Sequence, residues 1–164
     1  MGCVLQDGGG LRLGIPGAGT LTCFSDGWLM GHASSIALGI ALQKPDKTIW
    51  CIDGDGAALM HMGAMAVIGK AAPENLIHVI INNEAHESVG GMPTAADTTD
   101  LCGVAVACGY RYGTTVKDVA ALQGELGMIR TKKGPVFLEV KCAIGSREDL
   151  GRPTSTPYNV LQLK

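Results

Sequence analysis

From Met30 onward the chain alternates between small-residue apolar stretches with helical spacing and short, unbroken apolar runs. Ala33 to Leu42 is the first such stretch. Gln43-Lys44-Pro45-Asp46 ends it, so the pattern predicts a helix with a stop signal. Thr48-Ile49-Trp50-Cys51-Ile52 shows no polar alternation and runs into Asp53-Gly54-Asp55-Gly56, as a buried parallel strand closed by a tight turn would. A second helix is expected over Ala57 to Ala71, closed by Pro73, and a second buried strand over Leu76 to Ile81, ending at Asn82-Asn83. Glu84 to Asp97 reads as a polar, glycine-containing loop. Thr99 or Asp100 can cap a helix running to about Cys108. Tyr110 to Thr114 is a short strand. Val116 to Thr131 is a helix with Asp118 in its first turn and Lys132-Lys133 at its end, as the helix dipole favours. The last strand is Val136 to Val140, after the Gly134-Pro135 turn, and a polar tail with Pro153 and Pro157 follows from Gly145.

Residues 1–25 depart from this rhythm. They are rich in glycine and show no clear period, so they read as a poorly defined lead-in to a domain over 26–164. Gly14 to Gly19 does not follow the dinucleotide pattern G-x-G-x-x-G and has no clear strand before it. The alternation that follows predicts an α/β fold in three layers, a mostly parallel sheet with helices on both faces. In such sheets ligands bind beyond the carboxyl ends of the strands.

Composition narrows the partners more than the fold. At 164 residues, 46% apolar and 17% charged, the chain suits one α/β domain with a proper core. A net charge of −2 lends no electrostatic support to nucleic-acid or membrane-surface binding. No apolar run is long enough to span a bilayer, and the N-terminus lacks a signal-peptide layout. The six cysteines, Cys3, Cys23, Cys51, Cys102, Cys108 and Cys142, form no CxxC pair. They read as reduced, buried thiols of a cytoplasmic protein.

The two most polar motifs fall at two strand ends: Gly54-Asp55-Gly56 and Asn82-Asn83. A carboxylate and an amide oxygen at adjacent strand ends are hard ligands that suit Mg2+ with a phosphate-bearing group. The glycines beside Asp55 let backbone amides approach closely, and the helix starting near Ala57 points its N-terminal amides at the same place. Either motif alone is more often a plain turn. Their spacing across one helix and a return strand is what points to a diphosphate site.

GDG, a βα unit, then NN resembles the cofactor signature of thiamine-diphosphate enzymes, in their diphosphate-binding domain. The resemblance implies that Asp55, Asn83 and the backbone carbonyl of Ala85 hold the metal. It places Met30 under the bent cofactor, beside Gly31-His32-Ala33, and gives Gly31, His32, Gly54, Gly56 and Ala57 cofactor contacts, with His32 a donor to the diphosphate. Asp53 is then a turn or supporting group. His61 falls inside the predicted second helix and reads as packed. Glu84 stands where the family usually has glycine, which would bring an extra carboxylate near the metal.

Met30 to Ser34, Gly54 to Gly63, His86 to Thr94 and the tail from Gly145 to Thr154 are similar to the phosphonopyruvate decarboxylases, with the sulfopyruvate decarboxylases next. The implied reaction is loss of carbon dioxide from a small anionic 2-oxo acid, 3-phosphonopyruvate or its sulfonate counterpart. His86 and Glu87, just after the metal loop, are placed for proton transfer. Arg147 and Arg152 are candidates for the substrate's anionic tail, since a guanidinium matches a phosphonate fork. Both pairs also read as exposed loop or tail residues. In this family the activating glutamate lies on a separate pyrimidine-binding domain, which these residues do not include. The resemblance therefore implies a partner domain or subunit and an oligomer. Other enzymes of the same cofactor remain open: an acetolactate-type carboligase or an oxoacid oxidoreductase subunit. So does a non-catalytic dinucleotide-binding domain.

Overall fold

The computed structural model describes residues 3–7, 21–25 and 30–145, with side chains from Met30 onward. The elements in chain order are β1 (Cys3–Asp7), β2 (Leu21–Ser25), α1 (Ala33–Gln43), β3 (Ile49–Gly54), α2 (Asp55–Met60), α3 (Gly63–Ala71), β4 (Leu76–Asn82), β5 (Ala85–His86), β6 (Met92–Pro93), α4 (Leu101–Ala107), β7 (Tyr112–Val116), α5 (Val119–Ile129) and β8 (Val136–Lys141). One six-stranded sheet has the order β2-β1-β3-β4-β8-β7, and β5 pairs with β6 in a small separate hairpin. β3, β4, β8 and β7 are mutually parallel, while β1 runs antiparallel to both of its neighbours.

Period-two alternation sends each strand's side chains to two faces. Ile49, Cys51, Leu76, Ile80 and Phe137 pack with Ala33, Ala37 and Ala41 of α1, Met65 and Ile68 of α3, and Leu101 and Ala105 of α4. Ile77, Val79, Val116, Val136 and Leu138 face the other way, against Ile129 and Leu122 of α5. Helices thus cover both faces of a mostly parallel sheet, the architecture the alternation predicts. Among the described residues no helix is long and apolar enough to cross a membrane.

Several boundaries differ from the sequence expectation. Two strands, β1 and β2, lie within the segment read as a lead-in without a clear period. Neither run shows a clear period, and both gain their partners only in the sheet. The helix expected over Ala57 to Ala71 is two helices. Gly54 is extended (φ −92°, ψ 155°), so α2 already starts at Asp55, and His61 leaves the helical region (φ −129°, ψ 40°) before α3 begins. His61 is exposed in that break rather than packed inside a helix. The last helix starts at Val119, not Val116, because Val116 completes β7 and the Asp118 carboxylate caps α5 by accepting from the Ala121 amide at 2.8 Å. The preceding strand starts at Tyr112, because Tyr110 is committed to the core beneath α4, with its hydroxyl against His78. The thiols are less uniform than expected. Of the four with described side chains, only Cys51 is fully buried, and Cys142 is exposed where the chain leaves β8.

Candidate functional site

β3 and β4 pair in parallel with Gly54 opposite Ile81, so the residues following both strands emerge at one edge of the sheet. Asp55 is the first residue of α2 and is 2% exposed. Its Oδ2 accepts a hydrogen bond from the Thr94 hydroxyl at 2.5 Å. Asn83 follows β4. Its Oδ1 accepts from the Ala85 amide at 3.1 Å and its Nδ2 donates to Glu87 Oε2 at 2.6 Å. The other Glu87 oxygen accepts from the Gly145 amide at 2.9 Å, so both oxygens of this side chain are held although it lies at the surface.

These residues border one open cavity of about 320 Å3. Met30, Gly54, Asp55, Gly56, Ala57, Asn83, Ala85, His86 and Glu87 all line it, together with Ile52, Asp53, Ile81 and Ser88. Most of the residues singled out in the sequence are therefore brought together. Asp55, Asn83 and Ala85, which carry hard oxygen atoms of the kind Mg2+ takes, thus border the same cavity. At Gly54 no atom lies within 4 Å of where a Cβ would stand, leaving the backbone open to a ligand. Gly56 is different. A Cβ there would come 2.5 Å from Nδ1 of His86, so the glycine makes room for the histidine ring.

Gly31 and His32 do not border the cavity. Gly31 has φ +84°, and a Cβ would stand 2.7 Å from the Ala57 carbonyl oxygen, so helix packing and backbone conformation both require a glycine. His32 is the N-cap of α1, with Nδ1 3.3 Å from the Met30 carbonyl oxygen and its ring edge-on to His61 at 4.5 Å between centroids. Arg147 and Arg152 lie outside the described residues.

Glu84 departs from the sequence expectation. It has φ +59°, the left-handed conformation that favours glycine, which accounts for the residue expected there. Its side chain turns away from the Asp55 cavity and pairs with Lys141 at 3.2 Å. Lys141 also approaches Glu139 at 3.4 Å. Burial pulls the Lys141 pKa down, but the bonds to Glu84 and Glu139 more than offset this and leave it raised. Cys142 is near enough to feel the site. Burial, and then the charges of Asp55 and Glu87, push its thiol pKa up, so it is not primed as a nucleophile.

Behind the turn, Cys51, Asp53 and His78 place potential ligand atoms within 4.8 Å of one another, all buried. A thiol and an imidazole suit softer metals than Mg2+, so this trio is chemically distinct from the oxygen set above. Asp53 Oδ1 accepts from the Gly54 amide at 3.0 Å, in keeping with a turn-supporting role. His78 shares a 3.0 Å hydrogen bond with the Tyr110 hydroxyl, and burial lowers its pKa to about 4, so the ring is neutral. The sequence reading gave no part to Thr94 or Glu139, which bond to Asp55 and Asn82 respectively. Only their partners, far away in the chain, give them that place.

The sequence matches the family described as thiamine pyrophosphate enzyme, C-terminal TPP binding domain, over residues 19–140. The phosphonopyruvate decarboxylase of Streptomyces viridochromogenes is 38% identical over 131 residues, covering 80% of this chain and 33% of that protein. The sulfopyruvate decarboxylase subunit beta of Methanococcus maripaludis is 46% identical over 80 residues, covering 49% of this chain and 43% of that subunit. The chain thus spans about a third of the first relative and under half of the second. Among solved structures, a candidate thiamin diphosphate-dependent enzyme from Mycobacterium smegmatis superposes with a TM-score of 0.61 at 23% identity, covering 71% of this chain and 22% of that one, a likeness of fold. With a matching sequence model over most of its length, this chain belongs to the thiamine pyrophosphate enzyme family, in its C-terminal, TPP-binding domain.

Proposed function

We propose that this chain is the diphosphate- and Mg2+-binding half of a thiamine-diphosphate-dependent 2-oxo acid decarboxylase, acting on 3-phosphonopyruvate to give phosphonoacetaldehyde and carbon dioxide. The observation that carries the reading is the convergence of Asp55, Asn83 and Ala85 on one cavity at the ends of adjacent parallel strands. Asp55, Asn83 and the Ala85 carbonyl would hold the metal, and Met30 would support the cofactor from below. Bound thiamine diphosphate supplies the electron sink that decarboxylation needs. The chain's own residues then bind, orient and manage protons. Glu87, anchored by Asn83 and Gly145, and His86, set against Gly56, border the same cavity and are the candidates for proton transfer. Arg147 and Arg152 are the candidates for the substrate's anionic tail.

A pyrimidine-binding domain, from another chain or another segment, would complete the site in an oligomer. The sulfonate substrate is the second reading, favoured by the relatives that are named as beta subunits of sulfopyruvate decarboxylase. The test combines the purified chain with Mg2+ and thiamine diphosphate, and follows binding by calorimetry and aldehyde formation from each 2-oxo acid. Metal-dependent cofactor binding is expected, lost in Asp55→Ala, with turnover only after a pyrimidine-domain protein is added. Turnover by the chain alone would overturn the need for a partner. Binding unchanged in Asp55→Ala would overturn the site.

A further inference from the structure

We propose that Glu139 is a positioning residue for the oxygen-donor loop, acting through Asn82; this rests on the metal site proposed above. Glu139 lies on β8 and is 3% exposed, and Asn82, at the end of β4, is fully buried. Neither borders the Asp55 cavity. Glu139 Oε1 accepts from Asn82 Nδ2 at 2.6 Å, Oε2 accepts from the Thr115 hydroxyl at 2.8 Å, and Lys141 supplies a counter-charge at 3.4 Å.

Glu139 Oε1 accepts from the Asn82 NH2, so Glu139 dictates which way the Asn82 amide faces. Its NH2 must point to Glu139, which turns Oδ1 toward the Glu84 amide, 3.1 Å away. That bond closes the turn in which Glu84 sits at φ +59°. The Glu84 carbonyl in turn accepts from the Thr94 amide at 2.9 Å, and Ala85 pairs with Pro93. Asn83 is held between these fixed points. Without Glu139 the buried Asn82 NH2 loses its acceptor, and a rotation that finds it another partner breaks the bond to the Glu84 N–H. The loop that carries Asn83 and Ala85 would lose its orientation. A buried carboxylate is costly to desolvate, and an apolar residue of similar volume often stabilises a core as well or better. The carboxylate at this position is accounted for by the orientation it imposes.

The test uses the full chain with thiamine diphosphate and Mn2+ as a paramagnetic stand-in for Mg2+. Free and bound Mn2+ are read by electron paramagnetic resonance, and folding by circular dichroism. Glu139→Ala is expected to weaken Mn2+ binding about tenfold or more, the usual size for groups that orient ligands. Glu139→Gln keeps an acceptor for Asn82 and should bind within about threefold of the parent, well short of a lost outer-shell partner. Thr115→Val removes a different partner of Glu139 and should lower the thermal midpoint without moving Mn2+ affinity.

If Glu139→Ala does not fold, Asn82→Asp decides. It sets two carboxylates against each other and should weaken Mn2+ binding, while adding Glu139→Gln to it restores a donor–acceptor pair and should recover affinity. A folded Glu139→Ala with parental affinity would overturn the inference. So would an equal affinity loss in Thr115→Val, or no recovery in the double variant. Asp55→Ala separates the two levels: if it keeps parental Mn2+ affinity the metal site itself fails, and if it loses affinity while Glu139→Ala does not, only the role of Glu139 fails.

Discussion

The Thr94 hydroxyl donates to Asp55 Oδ2 at 2.5 Å, tying the loop before α4 to the first residue of α2. Asp55 is buried, so this bond both satisfies one carboxylate oxygen and fixes the plane of the group. The same hydroxyl accepts from the Ala96 amide at 3.3 Å, which anchors it in turn.

Thr94→Val should therefore lower the stability of the metal-free chain by about 1–3 kcal/mol, the range for losing a hydrogen bond to a charged buried group. Thr94→Ser should be close to neutral. Adding Mg2+ with thiamine diphosphate should recover part of the loss, since a cation held at Asp55 as proposed would neutralise the carboxylate left without that bond. Urea unfolding with and without both ligands measures this.

Gly56→Ala should displace His86, because the new methyl would stand 2.5 Å from the ring. The expected cost is about 1–3 kcal/mol, as for other overpacked sites. Combining it with His86→Ala should recover most of that loss, and thermal unfolding of the two single variants and the double variant measures the coupling.

Glu84→Gly should leave stability nearly unchanged. Relief of the left-handed conformation, about 1–2 kcal/mol, is offset by the extra freedom of glycine in the unfolded chain and by the lost contact with Lys141, which keeps Glu139. Glu84→Val keeps the positive φ and adds a β-branched side chain, so it should be clearly destabilised. Equal stabilities for the two variants in denaturant titrations would contradict the strain argument.

His78 gives the fold a pH dependence. Its pKa falls from an ordinary 6.5 to about 4 through burial, so the unfolded chain binds a proton that the folded chain rejects. The associated stability is fully present above pH 6.5 and is lost as pH falls toward 4, on the order of 3 kcal/mol in total. His78→Leu should unfold more easily at neutral pH, because the Tyr110 hydroxyl loses its partner, yet its stability should fall less steeply between these two pH values. Denaturant midpoints across that range give the two slopes.

The diphosphate motif was readable because it is local. Asp55 and Asn83 each end an apolar run, and a parallel sheet delivers consecutive strand ends to one edge. Asp100 was readable as a helix cap for the same reason, since it caps an amide only three residues on. β1 and β2 were not, because a five-residue strand without a strong period has no local signature and acquires its hydrogen bonds from other strands. The break at His61 was hidden too. The apolar pattern continues through it, and the interruption lies where Gly31 packs against Ala57 and His61.

By itself, the sequence determined the order of the main helices and strands from α1 to β8, the mostly parallel α/β class and the candidate oxygen donors at two strand ends, because periodicity and strand-end chemistry act over a few residues. The tertiary structure alone decided how those donors are held. Thr94 reaches Asp55 across 39 positions and Glu139 reaches Asn82 across 57, contacts that exist only once the sheet has formed. It also decided the place of Glu84, whose backbone takes the glycine-like conformation while its carboxylate swings to Lys141. A side chain's direction depends on the partners that the fold brings to it.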